Sequence, residues 1–147
     1  MPQVISGFPG IGKTHFSSLT GGVSDSDSSH FSWAPTKGVQ VRDPRWPQNY
    51  IEHIQGLLLR PEISFILVPS HQEVRDALVE AGIPFTLVYP SVSIKEEYIQ
   101  RYVDRGSAPA FVSLLNSNYE TWIEGLISQQ NCDHLSLGVG EYLSDVL

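Results

Sequence analysis

The sequence predicts an α/β domain built on a mostly parallel, five-stranded sheet, and three observations lead there. Short apolar runs alternate with helical stretches, which requires crossover connections between neighbouring strands. Two of the runs, Ser64-Phe65-Ile66-Leu67-Val68 and Phe85-Thr86-Leu87-Val88-Tyr89, are continuous rather than alternating, as strands covered on both faces are. The chain has 147 residues, 41% of them hydrophobic, which suffices for one core but not for two.

The elements follow in order. Gln3 to Ser6 is a short strand opening into a Gly-rich loop, and Lys13 to Leu19 starts a helix that Thr20-Gly21-Gly22 stops. Gly22-Val23-Ser24 is a brief second strand ending in Asp25-Ser26-Asp27. Between His30 and Pro47, prolines, aromatics and basic residues suit an irregular surface excursion better than regular structure. Asn49 caps a helix running to about Leu59, with Tyr50, Ile54, Leu57 and Leu58 as its apolar face. Ser64 to Val68 is the candidate central strand, His71 to Glu80 a helix closed by Ala81-Gly82, and Phe85 to Tyr89 the fourth strand. Ile94 to Arg105 is an amphipathic helix stopped at Gly106, and a longer one covers Pro109 to Gln129. His134 to Leu137 closes the sheet, followed by Gly138-Val139-Gly140 and a short helix from Glu141 to Val146.

A formal net charge of −7 provides no overall basic field for nucleic acid or anionic lipid, so any polyanion must be met locally. The single cysteine, Cys132, rules out an internal disulfide. The N-terminus lacks the pattern of a signal peptide, and no apolar run reaches the roughly 20 residues that span a bilayer. The expectation is a cytoplasmic protein with no membrane role.

The sharpest signal is Gly7-Phe8-Pro9-Gly10-Ile11-Gly12-Lys13-Thr14, which matches G-x-x-x-x-G-K-[ST] between a strand and a helix. In such a loop the glycines let backbone N–H groups turn inward around phosphate, and the following helix adds the positive end of its dipole. Lys13 would bridge the β- and γ-phosphates of ATP, and Thr14 would offer its hydroxyl to Mg²⁺. A chance match in a chain of this length is expected in under about 1% of sequences.

Asp25 and Asp27 follow the second strand, on the same sheet edge as the loop. They could organise Mg²⁺ or take a proton from an acceptor hydroxyl, or they could form a polar turn. Lys37, Arg42 and Arg45 in the excursion, and Lys95, Arg101 and Arg105 on the later helix, have the positive charge that phosphoryl transfer needs. They also fit a solvated face, since Glu97 and Arg101 form a ready i,i+4 pair. Trp33, Trp46 and Tyr50 could stack on a flat acceptor or form a small core beneath a long loop. Ser70 and His71 stand where open α/β sheets bind ligands, although Ser70 with Glu73 also reads as a capping box. His15, His30, His53 and His134 have no zinc-site spacing, and Cys132 reads as an ordinary thiol.

The order of these pieces resembles the P-loop small-molecule kinases, the group of nucleoside monophosphate, shikimate and dephospho-coenzyme A kinases. The resemblance spans most of the chain, and its specific part is Gly7 to Thr14. It implies a three-layer P-loop NTPase fold with strand order 2-3-1-4-5, an acceptor-binding excursion at about 28–60 and a lid-like helix at about 91–108. By the same likeness Asp25-Ser26-Asp27 is similar to the paired carboxylates of shikimate kinase-like members. Arg101 and Arg105 take the place of lid arginines, and Gly138 and Val139 would lie against adenine. No Asp follows Val68, where many such proteins carry a metal-organising carboxylate; Pro69-Ser70 stand there. Thr14 and Asp25 are left as metal contributors.

The expected function is transfer of the γ-phosphoryl of ATP to a small acceptor such as a nucleoside, nucleotide or related metabolite. Lys13, Asp25, Asp27, Arg101 and Arg105 would carry the chemistry, and Asp27, Trp33, Arg42, Arg45 and Tyr50 would hold the acceptor. The alternative is an ATPase or nucleotide switch acting through a protein partner. A guanine-reading N-K-x-D sequence is absent after the fourth strand.

Overall fold

The computed structural model describes residues 2–26 and 43–147 in full, and the backbone of Trp33–Ala34 and Val41–Arg42. In chain order the strands are β1 (Gln3–Gly7), β2 (Val23–Asp25), β3 (Trp33–Ala34), β4 (Val41–Arg42), β5 (Phe65–Pro69), β6 (Phe85–Pro90) and β7 (Asp133–Leu137). The helices are α1 (Lys13–Leu19), α2 (Gln48–Leu58), α3 (Gln72–Glu80), α4 (Lys95–Asp104, entered through a 3₁₀ turn at Val92–Ile94), α5 (Pro109–Ile127) and α6 (Leu143–Val146). Among the described residues no helix is long and apolar enough to cross a membrane.

Five strands form one all-parallel sheet in the order β2-β5-β1-β6-β7. Counted along the main sheet this is 2-3-1-4-5, the expected order. The middle strand is β1, and the candidate central strand at Ser64 to Val68 is interior as expected, as β5 between β2 and β1. A continuous apolar run reports burial on both faces and cannot rank two strands that share it. Ile5 lies opposite Leu67 and Thr86, and Gly7 opposite Pro69 and Val88, so the Gly-rich loop leaves from the middle of the sheet. Right-handed crossovers put α1 on one face and the helices after β2, β5 and β6 on the other. The crevice between diverging connections then opens at the C-terminal ends of β1 and β5.

Local sequence accounts for the helices. On α2, Tyr50, Ile51, Ile54 and Leu57 recur at helical spacing and are buried. Glu96 and Glu97 in the first turn of α4 and Arg101 in its last complement the helix dipole. On α5, Pro109 occupies the first turn and Leu115, Tyr119, Ile123 and Leu126 form the buried stripe.

Three local expectations are corrected. α2 begins at Gln48 with Pro47 as its N-cap, while the Asn49 side chain accepts from the backbone N–H of Tyr50. α3 is capped by His71 rather than Ser70, without a side-chain cap, and Glu73 accepts from Trp46 Nε1 at 2.7 Å instead of closing a capping box. The excursion contains a short antiparallel ribbon, with Trp33 opposite Arg42 and Ala34 opposite Val41.

Candidate functional site

The loop at the end of β1 is held from outside by its carbonyls. Tyr102 Oη donates to the Pro9 carbonyl at 2.6 Å, Arg101 Nη1 to the Gly10 carbonyl at 2.8 Å, and the Leu143 N–H to the Ile11 carbonyl at 2.8 Å. Lys13 Nζ donates to the Gly7 carbonyl at 2.7 Å, and the Phe8 N–H continues the sheet ladder to the Val88 carbonyl at 3.0 Å. With these acceptors occupied, the N–H groups of Gly10, Gly12 and Thr14 have no hydrogen-bond partner among the described residues. Unpartnered N–H groups at a strand-to-helix turn are a donor set that suits an anion.

Glycine is required where the loop turns. Gly10 has φ +91°, and a Cβ there would stand 2.9 Å from Tyr102 Cε1. Gly12, the N-cap of α1, has φ +94°. A Cβ on Gly7 would meet Ile11 Cδ1 at 2.5 Å, so a side chain there would have to displace the end of the buried Ile11.

The loop forms one wall of a cleft of about 970 Å³. A second wall is the start of α3 after β5, Pro69 to Gln72 and Arg75, and a third is the face of α5 carrying Phe111, Leu114 and Trp122. Lys13, Arg75 and Arg105 line it, and no Asp or Glu is among its described lining residues. In a chain of net charge −7 this is a local concentration of positive charge.

The two arginines of α4 have different surroundings. Arg101, with its side chain 9% exposed, bonds the Gly10 and Glu141 carbonyls and Glu97, and stacks between Tyr98 and Tyr142 at 4.3 and 3.8 Å from their centroids. It joins α4, the loop and the segment before α6. Arg105 is exposed at the end of α4, donates to Ser107 Oγ at 3.0 Å and faces the cleft. Glu97 also accepts from the Gly140 N–H at 2.9 Å, which fixes the turn after β7. In that turn the Gly138 N–H donates to Glu141 at 2.6 Å, and Val139 is 78% exposed.

The remaining site expectations are distributed as follows. Asp25 is the exposed last residue of β2, level with Leu67 and hence with Ile5, two residues short of the loop and two strands away. Asp27, Lys37 and the side chains of Trp33 and Arg42 lie outside the described residues. Tyr50 is fully buried with its hydroxyl on the Ser26 carbonyl at 2.6 Å, and Arg45 pairs with Glu52 at 2.6 Å on the surface. Lys95 pairs with Glu120 at 3.2 Å. Ser70 and His71 line the cleft. Ser26 Oγ is 3.4 Å from His53 Nε2, and burial pulls the His53 pKa down, favouring its neutral form. Burial pushes the Cys132 thiol up, away from thiolate character. Among the described residues no three His, Cys, Asp or Glu side chains gather in a metal-holding cluster.

Arg75, Trp122 and Tyr102 carry no signal in the sequence that marks them as part of the site. Arg75 sits between Glu73 and Asp76 in sequence and resembles part of a solvated face; Tyr102 and Trp122 have no motif around them. Comparison with protein-family models, with curated proteins and with solved structures gives no match.

Proposed function

We propose that the chain binds ATP through Gly7 to Thr14 and transfers its γ-phosphoryl group to a small acceptor. The observation that carries this reading is the capture of the Pro9, Gly10 and Ile11 carbonyls by Tyr102, Arg101 and Leu143, with the Gly10, Gly12 and Thr14 N–H groups unpartnered among the described residues at a cleft with cations and no described carboxylate. That environment is complementary to a polyphosphate, and the loop sequence is the one that phosphate loops use. As a P-loop small-molecule kinase the chain would bind phosphate with the loop amides and Lys13, and Arg105 would face the transferring group.

Thr14 fits a nucleotide-borne Mg²⁺: its hydroxyl stands in the first turn of α1, lines the cleft and makes no hydrogen bond among the described residues. When bound, the ion would neutralise charge on the phosphates. Asp25 stands two strands from β1, so any part it has is through water or on the acceptor side.

In the reaction an acceptor oxygen forms the new bond to the γ-phosphorus. The bond from that phosphorus to the β–γ bridging oxygen breaks, ADP leaves, and a proton on the acceptor oxygen passes to solvent or to a nearby carboxylate. An acceptor phosphate gives up no proton at all. The test is a thermal-shift screen of nucleoside triphosphates with Mg²⁺, then ADP release with and without candidate acceptors. A shift with ATP and acceptor-dependent ADP release is the expected result. Absence of a shift with any nucleoside triphosphate would refute nucleotide binding. Acceptor-independent ADP release would instead make the chain an ATPase.

A further inference from the structure

Among the described residues Arg75 is a buried cation with no anion in contact. It is 9% exposed, and its surface contributes to the cleft wall. Nε donates to the Ser70 carbonyl at 2.9 Å and Nη1 to Gln129 Oε1 at 2.7 Å. Both acceptors are neutral, and no carboxylate touches the guanidinium among the described residues; Asp76 acts on it only from a distance. An isolated buried charge is costly unless an opposite charge offsets it. The two bonds fix the plane of the fork and leave both Nη2 hydrogens available, the geometry that receives a carboxylate or phosphate.

Facing it, α5 has two apolar faces. Leu115, Tyr119, Ile123 and Leu126 are buried, whereas Phe111, Leu114 and Trp122 border the cleft, with Leu114 51% and Trp122 38% exposed. A helix that is apolar outside its core stripe has a second surface to cover. Of the residues anticipated as acceptor contacts, Tyr50 is held on Ser26 and Arg45 on Glu52, while Asp27 and the side chains of Trp33 and Arg42 lie outside the described residues.

We propose that the groove between α3 and α5 is a ligand subsite for a small molecule with an anionic head on an apolar, ring-sized body. The head, a phosphate or a carboxylate, pairs with Arg75, and the body lies along Phe111, Leu114 and Trp122. Identifying this molecule with the phosphoryl acceptor rests on the nucleotide reading above; the pairing with Arg75 does not. The loop and the groove are walls of the same 970 Å³ space, so a molecule in the groove would stand beside one on the loop.

The test uses phenyl phosphate and benzoate as probes, with phenol, benzamide and inorganic phosphate as controls, measured by thermal shift and equilibrium dialysis with and without ATP and Mg²⁺. At least one anion-bearing ring should bind, and the neutral rings and the bare anion should bind far more weakly. Which of the two rings is preferred separates a phosphate head from a carboxylate one. Gln129→Glu supplies the missing counter-charge within an existing hydrogen bond, so it should weaken the preferred probe on the order of tenfold or more while leaving the ATP shift unchanged. Arg75→Met should weaken the preferred probe to a similar degree, and Trp122→Ala, at an open position, should weaken the ring probe without lowering the melting temperature.

Binding that survives Gln129→Glu, or that is lost in Lys13→Ala instead, would overturn the proposal, as would failure of both ring probes. An ATP shift without any ring binding refutes the subsite and spares the nucleotide reading. Ring binding that depends on Arg75 without an ATP shift does the reverse.

Discussion

Arg101 Nη1 and the Gly10 carbonyl are 2.8 Å apart although 91 positions separate them in the chain. The bond fixes the Gly10–Ile11 peptide, and with it the direction of the loop's N–H groups. Removing it with Arg101→Met should lower stability by about 2–4 kcal/mol, because the Gly10 and Glu141 carbonyls and Glu97 lose a largely buried donor. ATP affinity should fall as well, and Arg101→Lys should restore little of either, since an ammonium cannot span three acceptors as a planar fork does. Urea unfolding and ATP titration of both variants provide the check.

Lys13→Ala separates chemistry from folding. Lys13 lines the cleft beside the loop, and its Nζ donates to the Gly7 carbonyl at 2.7 Å. ADP release should drop by about a hundredfold or more while the far-ultraviolet spectrum and melting temperature stay close to those of the parent. Full turnover in this variant would contradict the phosphate role of the loop.

Gly10→Ala introduces a side chain at φ +91°, 2.9 Å from the ring of Tyr102. The expected cost is about 1–3 kcal/mol, accompanied by loss of nucleotide binding, because relief of the clash requires the loop to move. Equal ATP affinity in parent and variant would show that the turn is not needed in this form.

Two buried tyrosines should respond in opposite directions to loss of a hydroxyl. Tyr102 donates to Pro9 at 2.6 Å, so Tyr102→Phe should cost about 1 kcal/mol and leave that carbonyl unpaired. Among the described residues the Tyr98 hydroxyl is buried without a geometric hydrogen-bond partner, with Arg101 over its ring, so Tyr98→Phe should be neutral or stabilising by up to about 1 kcal/mol. Denaturant midpoints of the two variants decide it.

Alkaline pH should unfold the protein through the same cluster. Burial, partly offset by the charge of Arg101, pushes the Tyr98 pKa up to about 12, and burial also raises Tyr102 and Tyr119. A group whose folded pKa lies above its unfolded value of about 10 contributes stability that is complete below pH 10 and lost as pH rises through the folded value. Each such tyrosine lowers stability by up to about 1.4 kcal/mol per pH unit in that window. Urea midpoints at pH 8, 10 and 11 should therefore stay level to about pH 10 and then fall, with phenolate absorbance appearing together with unfolding.

The framework was legible in the sequence because its signals are local. Ile66 to Val68 and Leu87 to Val88 announce strands covered on both sides, and Gly7 to Thr14 carries its turn chemistry within eight residues. Arg101 offered its i,i+4 partner Glu97, which the structure keeps at 2.9 Å, but not its bond to Gly10, made by a residue far off in the chain. Arg75 was hidden for the same reason: Glu73 and Asp76 beside it suggest a solvated face, and its burial depends on Gln129, 54 positions away. Composition suggests Tyr50 and Arg45 as acceptor contacts, but it cannot distinguish a side chain facing a ligand from one held by Ser26 or Glu52.

The donors that shape the loop come late in the chain, at Arg101, Tyr102 and Leu143, whereas the loop itself ends at Thr14. During synthesis the ribosome therefore delivers the sequence of the loop long before its shape. A nascent chain released from the exit tunnel only as far as β6 has the glycines and Lys13 but nothing to turn the Pro9, Gly10 and Ile11 carbonyls outward. Affinity for phosphate should appear only once α6 has emerged, so a truncated translation product would not sequester nucleotide.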